Sequence, residues 1–320
     1  MPALDKPLHD LREYYGISPR PGDFDAYWEK ALAELEATDP APVLEPSKAI
    51  QPRNAEAFDL WFTGVGGARI YAKYLRPKNV SGPHPAVLAF HGYSGNSGDW
   101  QDKLNYVSEG FSIAAMDCRG QGGRSQDSGA VKGNTQNGHF IRGLDDAPEK
   151  LLFRSIFLDT AQLARVVMSF DEVDAERVGC IGGSQGGALS LACASLVPQI
   201  KRCVSVFPFL SDYKRVWEMD LAKDAYQELK NFFRYFDPLH EREDEIFTRL
   251  GYIDVKNLSP RIKAECLFAI TLMDNICPPS TQFAAYNNIA APKDAVIYPD
   301  YGHEGLPGFQ DKAFNFLTAL

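Results

Sequence analysis

Ser184 stands in the run Arg177-Val-Gly-Cys-Ile-Gly-Gly-Ser-Gln-Gly-Gly-Ala188. A short apolar stretch there meets Gly182-Gly183-Ser184-Gln185-Gly186, and a helix-like stretch follows. G-x-S-x-G at a strand-to-helix junction is the pattern of a nucleophile elbow. Glycines two before and two after the serine let the chain fold back without side-chain collisions. The hydroxyl is then held at the N-terminal end of a helix, where unpaired backbone N–H groups favour developing negative charge. The chemistry this suits is attack on a carbonyl carbon.

A serine hydroxyl is a weak nucleophile at neutral pH and needs a base, and the base needs an orienting acid. Around an elbow of this kind the partners follow the serine in the order acid, then histidine. Of His9, His84, His91, His139, His240 and His303, only His303 lies near the C-terminus in a loop just after an expected strand, in Tyr298-Pro-Asp-Tyr-Gly-His-Glu304. Asp274 ends the preceding strand, Cys266-Leu-Phe-Ala-Ile-Thr-Leu-Met-Asp274, and is the expected acid. Its rival, Asp300, lies too close in sequence to His303. The bland role for Asp274 is a turn residue or cap. Two backbone N–H groups should receive the oxyanion: that of Gln185, after the nucleophile, and that of Tyr93, in His91-Gly-Tyr-Ser-Gly95 after an early strand. Tyr93, Pro208 and Phe209 are candidate walls of the substrate pocket. His91 is expected to shape its loop rather than act as a base. Arg119, in Arg119-Gly120-Gln121-Gly122, could pair with a carboxylate and fix loops around the site, or could belong to an ordinary surface turn.

Placing these groups requires alternating strands and helices. Apolar residues at helical spacing from Phe24 to Leu35 predict a helix, with Asp23 as N-cap and Asp39-Pro40 as its end. A proline-rich link follows, over 40–52, then a hairpin of 58–63 and 68–76. Short apolar strands are expected at 86–90, 111–116, 178–181, 203–207, 266–272 and 295–298, with a long helix over 151–170. That alternation predicts an α/β chain with a mostly parallel sheet covered by helices on both faces. An opening antiparallel hairpin followed by such units is the layout of the α/β-hydrolase fold. Residues 1–320 read as one domain, with 1–55 an N-terminal extension. Residues 121–146 read as a long loop, functional or mobile. Residues 212–252 read as a helical insertion that caps the site, or else as a peripheral subdomain or oligomer contact.

Composition narrows the function. Net charge is −9, with the acidic residues scattered, so a nucleic-acid partner is not expected. No stretch has the apolar length of a membrane span, and the start lacks the apolar core of a secretory leader, so a cytoplasmic location is expected. Cys118, Cys180, Cys193, Cys203, Cys266 and Cys277 show no C-x-x-C spacing and read as buried free thiols.

Taken together, His91-Gly92-Tyr93, Arg119-Gly120-Gln121, Gly182-Gly183-Ser184-Gln185-Gly186 and His303-Glu304 resemble carbohydrate esterase family 7, the acetyl xylan esterases and cephalosporin-C deacetylases. The resemblance covers nearly the whole chain, including Phe24 to Trp28 and Asp274 to Tyr286. It implies removal of acetyl groups from xylo-oligosaccharides and small acetates, cephalosporin C included. It also implies no metal or organic cofactor, an intracellular location and a ring-like homohexamer. Ser184, Asp274 and His303 match the family triad, and Tyr93 and Gln185 its oxyanion donors. Two rivals remain: a hydrolase of other acyl specificity, peptidase- or lipase-like, and a non-catalytic binding protein on the same fold.

Overall fold

Apolar runs that read as buried strands pair side by side in the computed structural model, which describes residues 4–129, 131 and 139–320. The strands are β1 (Val43–Pro46), β2 (Ala55–Thr63), β3 (Arg69–Pro77), β4 (His84–Phe90), β5 (Ser112–Met116), β6 (Val173–Gly183), β7 (Arg202–Val206), β8 (Glu265–Thr271) and β9 (Lys293–Tyr298). They form one sheet in the order β1-β2-β3-β5-β4-β6-β7-β8-β9. The first three are antiparallel, β3 pairs antiparallel with β5, and from β5 to β9 every pairing is parallel. Between and around them lie α1 (Leu8–Leu11), α2 (Phe24–Glu36), α3 (Leu104–Ser108), α4 (Leu152–Met168), α5 (Gln185–Leu196), α6 (Tyr213–Glu218), α7 (Gln227–Phe236), α8 (Glu243–Leu250), α9 (Val255–Leu258), α10 (Pro279–Asn287) and α11 (Phe309–Thr318).

Alternation along each strand builds a core on both faces. Leu88 and Ala114 face one way, into a core shared with α2, α4 and α5. Val87 and Ile113 face the other way, against Val107 of α3 and Leu317 of α11. The central strands are therefore mostly apolar where helices cover both faces, as such a sheet requires.

Two expectations change. The proline-rich link contains a strand, β1, which pairs with β2 from Val43↔Trp61 to Pro46↔Phe58. It is a largely exposed edge strand, so it carries no alternating apolar signal, and edges tolerate proline. Asp23 does sit at the N-cap of α2, but its side chain makes no capping hydrogen bond. Instead its carboxylate accepts the Tyr252 hydroxyl. The expected long loop at 121–146 lies partly outside the described residues, which omit 130 and 132–138. Segment 212–252 carries α6, α7 and α8 between β7 and β8. No helix among the described residues is long and apolar enough to cross a membrane.

Candidate active site

Parallel strands deliver their following loops to one end of the sheet. Phe90 of β4 pairs with Gly182 of β6, so the 91–95 loop emerges beside the Ser184 elbow. Ser184 has φ 56° and ψ −120°, a left-handed φ that costs a non-glycine residue energy and points to function. The two flanking glycines are needed for space. A Cβ on Gly182 would sit 2.3 Å from the Gly186 backbone, and one on Gly186 would sit 2.1 Å from the Phe90 carbonyl oxygen. The turn is braced by Ser184 N–H to the Val206 carbonyl at 2.9 Å, and by Phe209 N–H to the Ser184 carbonyl at 3.0 Å. Gln185 opens α5 and is fully buried.

Asp274 and His303 meet at the outer end of the same edge. Leu272 N–H donates to the Tyr298 carbonyl and Met273 N–H to that of Tyr301, both at 3.0 Å, which ties the two loops together. His303 Nδ1 lies 2.8 Å from Asp274 Oδ2. The other carboxylate oxygen accepts the N–H groups of Ile276 and Cys277, each at 2.9 Å. With Asp274 as acceptor the imidazole proton belongs on Nδ1, which leaves the Nε2 lone pair free. The Phe207 ring lies against the imidazole, with centroids 4.4 Å apart.

Ser184 and His303 line one cavity of about 380 Å³, together with Tyr93, Asn96, Ala225 and Ile276. No hydrogen bond joins the Ser184 hydroxyl to the imidazole among the described residues; the hydroxyl lies instead within hydrogen-bonding reach of the buried Cys277 thiol. Burial, followed by the Asp274 charge, pushes that thiol well above its ordinary range, so it stays protonated. The hydrogen bond between a nucleophile and its base is often loose before substrate binds. Asp274, Cys277 and His303 offer ligand atoms within 4.8 Å of one another, but there Asp274 and His303 already serve each other. A larger cavity, of about 520 Å³ between α3 and α11, is lined by none of these three residues.

The remaining candidates take distinct places. His91 Nε2 accepts the Cys118 N–H at 3.0 Å while Nδ1 lies 2.7 Å from the Gly92 carbonyl, and burial lowers the pKa of the ring. It is a neutral strut of its loop. Phe209 is fully buried and stands edge-on to Tyr93, centroids 5.6 Å apart; neither it nor Pro208 lines the 380 Å³ cavity. Arg119 is no surface turn residue, since it is buried and holds Asp159 of α4 with two hydrogen bonds of 2.7 and 2.6 Å. All six cysteines are free and buried.

Sequence reasoning missed several groups. The side chains of Gln121 and Gln185 donate to each other reciprocally, at 2.9 and 3.0 Å, linking the Arg-Gly-Gln turn to the elbow. Their shared residue type in two glycine-rich turns was the available signal. Cys277 could have been suspected from its place three residues after Asp274. Nothing local marked Phe207 or Ala225.

The sheet order, the elbow and the histidine–carboxylate pair at the strand ends define an α/β-hydrolase. Solved structures of low identity share the fold, among them a 2,6-dihydroxy-pseudo-oxynicotine hydrolase at 19% identity, TM-score 0.57, covering 83% of this chain and 68% of that one. A sequence profile described as acetyl xylan esterase matches residues 1–320, and the chain belongs to that family of carboxylic ester hydrolases. It is similar to the crystal structure of acetyl xylan esterase 1 from Thermoanaerobacterium sp. JW/SL YS485, with 62% identity and TM-score 0.97 over 98% of this chain and 99% of that one. The acetyl xylan esterase from Paenibacillus sp. R4 follows at 37% identity, TM-score 0.94, over 98% and 99% of the two chains. Acetyl esterase Axe7A of Xylanibacter ruminicola is 29% identical over 291 residues, which are 88% of this chain but 63% of that relative.

Proposed function

We propose that the protein is a serine esterase that removes acetyl groups from acetylated xylo-oligosaccharides and small acetate esters, cephalosporin C among them. The observation that carries this reading is the joint placement of Ser184 and His303 on one cavity, with His303 held at 2.8 Å by buried Asp274. The family and the names of its solved relatives supply the acetyl and xylan components.

In this reading His303 Nε2 takes the Ser184 proton as Oγ attacks the acetyl carbonyl carbon. The oxyanion is received by the N–H groups of Tyr93 and Gln185, each contributing roughly 3 kcal/mol if donor deletions elsewhere are a guide. Asp274 stabilises the imidazolium without taking its proton. The C–O bond to the sugar or other alcohol breaks, and the alcohol leaves with the proton from His303. Water then attacks the acetyl-enzyme with His303 again as base, and acetate departs. Segment 212–252 serves as a cap, a role supported by Asp224 and Ala225 on the cavity wall. A homohexamer and a cytoplasmic location complete the reading on family resemblance.

The test is Ser184→Ala assayed on 4-nitrophenyl acetate, alongside wild-type rates on acetyl, butyryl and longer esters. The expected loss is several orders of magnitude in kcat, with a steep fall beyond acetyl. A loss under tenfold removes Ser184 as nucleophile, and a flat acyl series favours the lipase-like alternative.

A further inference from the structure

Glu228 lies in the first turn of α7 and is 3% exposed. Its carboxyl oxygens hold two other segments of the chain. Oε1 accepts the Tyr93 hydroxyl at 2.5 Å and Oε2 accepts the Ile141 N–H at 3.0 Å. The backbone N–H groups of His139 and Phe140 face it as well, and no lysine or arginine pairs with it among the described residues. Burying a carboxyl without a cation is costly, and here the cost is offset by the hydroxyl and N–H donors that converge on it. What the carboxyl adds is direction: it fixes the tip of the Tyr93 side chain.

Tyr93 is otherwise gripped by ring contacts. Phe209 and His139 stand edge-on to it with centroids 5.6 and 5.0 Å away. One face of the residue borders the cavity that holds Ser184. The backbone just after it is strained, with Ser94 at φ 57°, so the loop needs outside support to keep its shape. A ring held at its tip and on its sides fixes the Cα to which the Tyr93 N–H is attached.

We propose that Glu228 is a positioning residue of the reaction: through the Tyr93 hydroxyl it holds the 91–95 loop so that the Tyr93 N–H stays aimed at the carbonyl oxygen beside Ser184. The proposal rests on the esterase reading and on Tyr93 as an oxyanion donor. Burial pushes the Glu228 carboxyl up to about 8, so near neutral pH it is mostly uncharged and glutamine is its close mimic.

The experiment compares Tyr93→Phe, Glu228→Leu, their double variant and Glu228→Gln, on 4-nitrophenyl acetate at pH 7. Loss of a whole oxyanion donor costs roughly 10²- to 10³-fold in kcat, which sets the ceiling. The expected result is a fall in kcat of about tenfold or more for Tyr93→Phe and Glu228→Leu, with KM nearly unchanged, since the donor acts in the transition state. The double variant should be no worse than the poorer single variant, because both break one link. Glu228→Gln should recover most of the rate. A Tyr93→Phe enzyme within threefold of wild type, single losses that multiply in the double variant, or a glutamine variant as poor as the leucine one overturns the proposal. If Glu228→Leu does not fold, Tyr93→Phe and Glu228→Gln decide it by the same limits. Wild type and Ser184→Ala run beside them: an inactive wild type or an active alanine variant defeats the esterase reading itself, whereas normal controls leave only the clamp in question.

Discussion

Replacing Asp274 by asparagine changes one atom and should cripple the reaction by a route that the hydrogen bonds specify. The carboxylate has two occupied ends. Oδ1 accepts the N–H groups of Ile276 and Cys277, and Oδ2 faces His303 Nδ1 at 2.8 Å, with the Thr271 hydroxyl and the Gln282 amide donating more distantly at 3.4 Å. An amide has a single oxygen, and the two backbone donors at 2.9 Å, which cannot turn away, outcompete the imidazole and the two longer side-chain donors at 3.4 Å for it. The NH₂ group then points at Nδ1, which must become an acceptor, and the proton moves to Nε2, where it blocks uptake of the Ser184 proton. The opposite orientation keeps the useful tautomer but sets NH₂ against two N–H groups. At about 1–3 kcal/mol for each unsatisfied donor, that orientation lies roughly 2–6 kcal/mol higher. Its population, and with it kcat, should fall by about 30-fold at the low end and 10⁴-fold at the high end, as 1.4 kcal/mol is tenfold. The upper figure coincides with the loss seen for the same substitution in a serine protease. Stopped assays on 4-nitrophenyl acetate at pH 7.5, with melting curves as a folding control, measure it. A folded Asp274→Asn enzyme with kcat within tenfold of wild type would refute the tautomer argument and the assignment of Asp274.

Further outcomes follow from buried charge. Glu228 is held up to about 8 and Asp254 to about 7, both by burial, against 4.5 and 3.8 for the same groups in water. Between those limits the folded state binds protons that the unfolded state has released, so each group makes stability decline as pH rises, by up to about 1.4 kcal/mol per pH unit. Urea melts from pH 5 to 8 should therefore show a shallower decline for Glu228→Gln than for wild type, and parallel curves would count against the buried, protonated carboxyl. Arg119→Leu strands the Asp159 carboxylate at 0% exposure and should cost about 3–5 kcal/mol, read as a lowered urea midpoint; a midpoint like that of wild type would show that the pair is dispensable. Native protein should leave all six thiols unmodified by a disulfide reagent over minutes, then release them on denaturation; rapid native labelling would contradict their burial.

The parts of the site that follow local rules were legible in the sequence. Ser184 announces itself because the elbow needs its glycines within five residues, and the order serine, aspartate, histidine narrows the search for Asp274 and His303. The parallel strands were legible because burial on both faces makes them apolar runs. Where a strand is not buried, the signal fails. β1 is exposed, and the start of β6 carries Asp174, Glu176 and Arg177, so its extension back to Val173 did not show. Contacts across long sequence separations were illegible for another reason. Tyr93 and Glu228 are 135 positions apart, Gln121 and Gln185 are 64 apart, and neither pair has any local feature that requires its partner.

The two backbone ties between the loops after β8 and β9 make Asp274 and His303 one unit at the rim of the sheet, with β7 standing between that unit and the serine's strand. If the outermost strands breathe, acid and base ride together. Their mutual bond survives while the gap to Oγ opens and closes. A substitution that shifts these two loops would thus alter the distance from the imidazole to Oγ without parting the imidazole from Asp274.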